Sequence, residues 1–492
     1  MPVLRFGQGD KYLHLRPSRQ TASTWLYVLA FALCAASANG QTEDQRSARL
    51  VNAMASELRV SAHLPGLSVA IARGGQILIA QGLGYADIAR TVRVTPATQF
   101  RTASVGKVIT ATALATLVQR GALNLDSPVQ AYVPAFPVKQ WTVTSRELAG
   151  HLAGMPHYNA ADKTEPRFYA SVNDALGVFA AESLLFEPGS RYSYSTHGFT
   201  LLSAVIEGAS GKPFLDYLTD AVLQPLGMKS TGPHLIAAPT ATMTTLYAIT
   251  NGTATPVEHP EDPSYKWAGG GMISTPSDLV RLASGYLNGF LKPETVAMMF
   301  ASQRLASGKE TGVGIAWRNG MDVEGHRAIE HAGSMEGTRT VVSMFPESKV
   351  VVAIMANAEW SSMIEETAHM LAVPYLTRRA PIRQPDGTAA VTVTVLKRDG
   401  TAERAQGTLT LRAGAGTLTV DAGSTARTSY ALVYLERGNT YALVRPDGIV
   451  HLTLETAGDS VSGKAIAYGS PRMTSPADNP PFLTLGGVFS RK

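Results

Sequence analysis

Strand-like runs stand at both ends of a helical middle, and this arrangement narrows the fold more than any other feature of the chain. Leu67-Ser68-Val69-Ala70-Ile71 and Ile77-Leu78-Ile79-Ala80 flank Gly74-Gly75, which predicts a β-hairpin. Far downstream, Thr338 to Phe345 and Val350 to Met355 are joined by Pro346-Glu347-Ser348, and a further strand signal covers Gly314 to Arg318. Helical signals fill the interval, among them Leu201 to Glu207 and Ser277 to Leu287, the latter behind Ser274-Thr275-Pro276. An amphipathic helix is predicted over Ser47 to Val60 and a closing helix over Ser361 to Leu371. An isolated hairpin is marginal in water. Strand pairs at both ends therefore predict one antiparallel sheet flanked by helices, a mixed α/β (α+β) fold.

The character changes around Pro381 to Gly387. From Val391 to about Tyr468 the chain is short alternating runs rich in Val, Thr, Leu and Tyr, punctuated by Arg398-Asp399-Gly400 and Pro446-Asp447-Gly448. This predicts a small all-β domain, a sandwich or a barrel. Both a structural cap and a binding module fit it. The expected organisation is a main domain over 39–380, a linker over 381–387, the all-β domain over 388–472 and an irregular Pro-rich tail over 473–492. A length of 492 residues suits two domains, and 45 % hydrophobic residues with 16 % charged ones supply their cores. The net charge is only +5, with no dense Lys/Arg run, so nucleic acid is not an expected partner.

Arg5, Lys11, Arg16 and Arg19 precede an apolar run from Trp25 to Ala36 that is short for a membrane span. Ala36-Ser37-Ala38 then fits small-residue cleavage. Residues 1–38 read as a secretion signal, which makes the protein periplasmic or secreted, with no stable membrane span once the signal is cut. An uncleaved anchor is the alternative. The only cysteine, Cys34, falls in this segment. The mature chain would have none, which excludes disulfides, thiolate metal sites and cysteine catalysis.

The chemistry gathers at Phe100-Arg101-Thr102-Ala103-Ser104-Val105-Gly106-Lys107. Val108, Ile109, Ala111, Ala113, Leu114 and Leu117 follow at helical spacing up to Gly121. Ser104 then opens a helix, with Lys107 one turn on along the same face. A hydroxyl needs a base to become a nucleophile, and a desolvated lysine can serve. No other lysine in the chain has a serine three residues before it. The alternative is an ordinary helix start, with Ser104 as N-cap and Lys107 in water. Two further stretches offer a proton donor and oxyanion contacts. One is Tyr192-Ser193-Tyr194-Ser195-Thr196-His197-Gly198, ahead of a helix. The other is Glu330-His331-Ala332-Gly333-Ser334, ahead of a strand, where a glycine permits close backbone approach. H-E-x-x-H, the Walker glycine loop and G-x-S-x-G are all absent from the sequence. Neither a metal nor a cofactor is expected.

These motifs resemble the serine β-lactamase-like superfamily, in which S-x-x-K is a mark of β-lactamases and penicillin-binding proteins. The resemblance runs from about Leu67 to Met355. It includes Thr95-Pro96-Ala97-Thr98-Gln99-Phe100-Arg101, His151-Leu152-Ala153-Gly154-Met155-Pro156, Leu223-Gln224-Pro225-Leu226-Gly227-Met228 and Gly269-Gly270-Gly271-Met272-Ile273-Ser274-Thr275. It implies Ser104 as acylated nucleophile, Lys107 as its proton acceptor and Tyr194 as second general acid/base. His331-Ala332-Gly333 would stand at the family's Lys-Thr-Gly strand. The N–H groups of Ser104 and Ser334 would form the oxyanion hole.

Two departures matter. Thr196 replaces the usual Asn and lacks its paired donor and acceptor. His331 replaces a Lys, so the fixed charge that meets a substrate carboxylate is expected to be missing at neutral pH. The Tyr-Ser-Thr-x-Gly and His-x-Gly versions are most similar to the mitochondrial serine β-lactamase-like branch. The resemblance implies a secreted serine hydrolase working through an acyl-enzyme on an amide or ester. Its substrate would be a small molecule or peptide, cell-wall fragments included, with weak β-lactamase activity. The alternative is an acyl sensor that binds penicillin or peptidoglycan without turnover.

Overall fold

The computed structural model describes residues 42–158, 167–360, 363–376, 385–396, 401–412, 415–422, 426–466 and 482–490. The signal segment 1–38 and most of the linker 381–387 lie outside the described residues.

The main sheet has seven strands: β1 (Gly66–Arg73), β2 (Gln76–Asp87), β3 (Val92–Arg93), β4 (Arg318–Met321), β5 (Arg327–Met335), β6 (Thr338–Phe345) and β7 (Val350–Ala356). Their spatial order is β3-β2-β1-β7-β6-β5-β4. β1 pairs antiparallel with β7, Leu67 opposite Ala356, so the two ends of the domain meet at the centre of one sheet, as expected. Gly74 and Gly75, at φ +60 and +91, make the tight turn of the first hairpin.

Four helices position the site: α1 (Gly106–Gln119), α2 (His197–Ser210), α3 (Pro276–Leu287) and α4 (Ile364–Leu376). Every residue of α1 from Gly106 to Leu117 is buried, which makes it a central helix with no solvent face. α3 starts as its sequence predicts, with the Thr275 side chain accepting from Asp278 N and Pro276 in the first turn. α3 and α4 both pack on β7, which is buried along its whole length.

Two strand expectations need correction. Gly314 to Arg318 is mostly a turn, and β4 begins only at Arg318. Gly314 N donates to Trp317 O, and Ala316 takes φ +64, which breaks an extended run. Glu330 to Ser334 lies within β5, not ahead of a strand.

The C-terminal domain is a closed barrel of β8 (Gly387–Leu396), β9 (Ala402–Arg412), β10 (Ala415–Ala422), β11 (Ala426–Tyr434), β12 (Thr440–Arg445), β13 (Gly448–Ala457), β14 (Ser460–Ile466) and β15 (Leu483–Phe489). β15 pairs with both β8 and β14, so part of the tail expected to be irregular is the closing strand. Closure removes the exposed edges that an open sheet would leave. The barrel rests on α4. Ile449 N donates to Thr367 Oγ1 at 3.1 Å, and Arg437 binds Glu324 at 2.7 Å and Val373 O at 3.3 Å. Gly448 permits this contact, because a Cβ there would stand 2.9 Å from Met363 Cβ and Thr367 Oγ1.

Candidate active site

Ser104 sits in a short turn, Ala103–Val105, immediately before α1. The cap positions of that turn and of α1 are Thr102 and Val105, and neither makes a side-chain cap bond, so Ser104 is not used as an N-cap. Lys107 is fully buried rather than solvated. Its Nζ lies 3.3 Å from Ser104 Oγ, 3.0 Å from Thr196 Oγ1 and 2.7 Å from Gly269 O. The rings of Tyr194 and Phe199 complete the cage, with centres 4.8 Å and 5.5 Å from Nζ. Burial, and then the nearby Arg318 charge, push its pKa well below the ordinary lysine value. A neutral amine has two N–H bonds and one lone pair. Gly269 O and Thr196 Oγ1 take the two N–H bonds, which leaves the lone pair for the Ser104 hydroxyl.

The other predicted residues converge on the same point. Tyr194 is half-buried beside Ser104, with its hydroxyl shielded from solvent, but that hydroxyl makes no well-formed hydrogen bond to a described residue. Burial raises its pKa to about 12, so it stands as a phenol, able to donate a proton. Gly333 backs directly onto the serine turn, where a Cβ would lie 2.7 Å from Ser104 N and 2.8 Å from Thr102 O. That approach brings the backbone of β5 next to Ser104. The side chain of Ser334 donates to Glu359 at the rim. His331 is fully buried, with Nδ1 2.7 Å from Ala332 O. A carbonyl only accepts, so this contact holds the proton on Nδ1 and leaves Nε2 bare. Among the described residues, no group of His, Cys, Asp and Glu could hold a metal ion.

The sequence profile described as Beta-lactamase matches residues 47–373, most of the chain. The chain belongs to the beta-lactamase family. The human protein named "Serine beta-lactamase-like protein LACTB, mitochondrial" is 29 % identical over 379 residues, 58 % of this chain and 69 % of that protein. "Protein flp" of Staphylococcus aureus strain MW2 is 30 % identical over 173 residues, 34 % of this chain and 35 % of its own length. Among solved structures, the octameric penicillin-binding protein homologue from Pyrococcus abyssi superposes with a TM-score of 0.57 at 20 % identity, covering 89 % of this chain and 99 % of that one. EstCE1, described as a hydrolase with promiscuous acyltransferase activity, gives 0.56 at 22 % identity over 68 % and 99 %. At such identities these two likenesses speak for the fold. The family and its neighbours are hydrolytic enzymes.

Within this beta-lactamase-family site, the geometry places both departures from the family motifs. Thr196 keeps a contact to the lysine despite replacing Asn. His331 supplies no fixed charge, as expected, but a cation on the neighbouring strand stands close by. Arg318, the first residue of β4, holds its guanidinium carbon 5.8 Å from the centre of the Tyr194 ring. Arg318 pairs across the strands with Glu330, the residue before His331. His331 itself is kept neutral, because burial and then the Arg318 charge push its pKa well below the ordinary value. Glu330 faces away from the site, where it binds His369 of α4 and Ser343 of β6. Arg318, Gly269 and two histidines, His151 and His157, are site residues to which sequence reasoning gave no role. Gly269 and His151 lay inside the recognised motifs. Nothing local marked Arg318.

Proposed function

We propose that this protein is an exported serine hydrolase that opens an amide or ester of a small molecule or peptide through an acyl-enzyme on Ser104. The single observation that carries the reading is the buried Lys107 amine, 3.3 Å from Ser104 Oγ, with two oxygens to take its N–H bonds. Lys107 takes the Ser104 proton as Oγ bonds to the substrate carbonyl carbon. The N–H groups of Ser104 and Ser334 receive the oxyanion. As the tetrahedral adduct collapses, the bond to the leaving atom breaks and the Tyr194 phenol protonates that atom. Lys107 returns its proton to Tyr194. Water then repeats the sequence on the acyl ester and restores Ser104. Activity at neutral pH is supported by the lowered pKa of Lys107.

Esters and peptide-type amides, D-amino-acid and cell-wall peptides among them, are the proposed substrates, with β-lactams turned over slowly. The test is a fluorophosphonate probe followed over time, beside a panel of short-chain esters, D-amino-acid amides, peptides and a chromogenic cephalosporin. Mass spectrometry should place the probe on Ser104, and at least one panel member should be hydrolysed catalytically. An unlabelled Ser104 sinks the proposal. Permanent acylation by substrates without release makes the protein an acyl sensor instead. Export is tested by cell fractionation and by sequencing the mature N-terminus, expected at Asn39.

A further inference from the structure

The segment carrying Tyr194 is gripped by a second segment that the proposed chemistry does not use. Four hydrogen bonds run from residues 193–196 to residues 151–157. Ser193 N donates to His151 O at 2.9 Å, and Ser195 Oγ donates to Pro156 O at 2.6 Å. Ser195 N donates to His151 Nδ1 at 3.2 Å, and Thr196 N donates to His157 Nδ1 at 3.1 Å. The imidazoles also flank the tyrosine ring. His151 lies against it at 4.3 Å between centres, and His157 meets it edge-on at 5.7 Å. His151 is fixed by its backbone too, at φ +61, a conformation that few side chains adopt.

We propose that His151 and His157 are positioning residues, which fix the Tyr194 phenol and the Thr196 hydroxyl against Lys107 by accepting the amides of residues 195 and 196. This rests on the hydrolase reading above. Thr196 is the link, since its N–H is held by His157 while its Oγ1 takes an N–H of Lys107 at 3.0 Å. An acceptor is needed because these two amides precede the first turn of α2, where intrahelical partners are lacking. The acceptor must also be uncharged. A carboxylate would hold the same amide, but its charge would favour the ammonium form of Lys107 and remove the base. The charged group that now acts on Lys107 is Arg318, which favours the amine. Around the cage, burial above all and the Arg318 charge keep His151 neutral, and His331 is neutral for similar reasons. A neutral imidazole with its proton on Nε2 accepts at Nδ1 and adds no charge.

The test uses His157, which is exposed and so poses little risk to folding. In the full chain, His157→Leu removes the acceptor, His157→Asn restores a neutral one, and His157→Asp restores a charged one. On a good ester, His157→Leu should lower kcat by about 10- to 100-fold with little change in KM, the scale of a misplaced catalytic group. His157→Asn should recover most of that loss. His157→Asp should keep the bond but move the acid limb of kcat/KM to higher pH, because Lys107 then gives up its proton less readily. Amide exchange at Ser195 and Thr196 should quicken in the Leu variant and slow again in the Asn variant. A Leu variant within twofold of wild type, or an Asn variant as slow as Leu, overturns the proposal. If the wild type hydrolyses nothing and leaves Ser104 unlabelled, the hydrolase reading fails. Exchange then decides the clamp alone, and equal rates in wild type and His157→Leu overturn it.

Discussion

Arg318 stands over the Tyr194 ring at 5.8 Å and places a permanent cation beside a proton donor. Its nearest carboxylate, Glu365, is 3.6 Å away, and only 22 % of the arginine side chain is exposed. The pKa of His331, on the adjacent strand, is held well below its ordinary value by burial, so the fixed cation near Tyr194 is Arg318. Arg318 is therefore the group to test for contact with a substrate carboxylate.

Removing that charge should therefore change selectivity. Arg318→Leu should lower kcat/KM for a carboxylate-bearing cephalosporin relative to a neutral ester by about 5- to 50-fold, the range of a hydrogen bond to a partly screened charge. The ratio of the two values is the quantity to measure, because damage common to both substrates cancels. The acid limb should also rise, since Arg318 helps to keep Lys107 neutral. An unchanged ratio in a folded, active variant would mean that Arg318 does not reach the substrate.

Ser104→Ala and Lys107→Ala should each abolish turnover, because members of a nucleophile–base unit fail together. They differ in stability. Ser104→Ala deletes one half-buried oxygen and should leave the melting temperature close to wild type. Lys107→Ala opens a cavity and strands Gly269 O without its 2.7 Å partner, so it should melt several degrees lower. Calorimetry with a fluorophosphonate gel checks both. Wild-type turnover by either variant is the damaging result.

The local parts of the site could be read in the sequence, and the non-local parts could not. Ser104 and Lys107 are three apart on one helix face, so their contact follows from helix geometry. Tyr194 and Gly333 came from ordered resemblance, because their approach to Ser104 depends on how distant segments pack. Arg318 comes within reach of the Tyr194 ring only once β4 has paired at the edge of β5, and nothing in its local pattern marks that approach. The sheet was readable because β1, β6 and β7 are apolar runs bounded by turn residues. β15 was not, since Pro480-Pro481 directly precedes Phe482-Leu483-Thr484-Leu485 and masks its alternation. The Gly314 to Trp317 run misled because it is apolar for burial in a turn, not in a strand.

Gly333→Ala is the smallest change that should break the site. The added methyl would fall 2.7 Å from Ser104 N and 2.8 Å from Thr102 O, both backbone atoms with little room to move. β5 and the serine turn would have to separate by a few tenths of an ångström or more. The proposed oxyanion donors, the N–H groups of Ser104 and Ser334, sit on these two segments, so kcat should fall by about 100-fold or more. The sheet should survive, because β5 still pairs with β6 along Ile329 to Met335. Circular dichroism and ester kinetics together test this. Near-normal kcat would show that the two segments are not held at the distance catalysis needs.

The last prediction concerns pH and the seam between α4 and the barrel. Behind the catalytic strand, His369 Nε2 lies 2.8 Å from Glu330 Oε2, which also accepts from Ser343 Oγ. Burial alone would lower the His369 pKa, but the Glu330 charge outweighs it and pushes the value up to about 9. For Glu330, burial is outweighed by His369 and Ser343, and its pKa is held below the ordinary 4.5. One turn earlier on α4, burial pushes Glu366 up to about 8, and one of its oxygens has no partner among the described residues. Glu365, Asp322, Arg318 and Arg339 also face this cluster, and Glu324, Arg437 and His451 face it across the seam. The signs follow from which state binds the proton more tightly. His369 is raised, so its contribution is complete below about 6.5 and is lost as pH rises through about 9. Glu366 is raised as well, so the folded state pays for keeping it protonated, increasingly from about 4.5 to about 8. Glu330 is lowered, so its contribution is present above about 4.5 and fades in acid. Thermal stability should therefore decline steadily from pH 6.5 to pH 9. Glu366→Gln keeps the neutral shape and removes one of the two declining terms. The variant should differ least from the wild type in mild acid, exceed it by several degrees at pH 8.5, and show a shallower decline. Calorimetry at pH 5.5, 7 and 8.5 tests this, and an equal slope in the two proteins would mean that Glu366 is ionised and solvated in the folded chain.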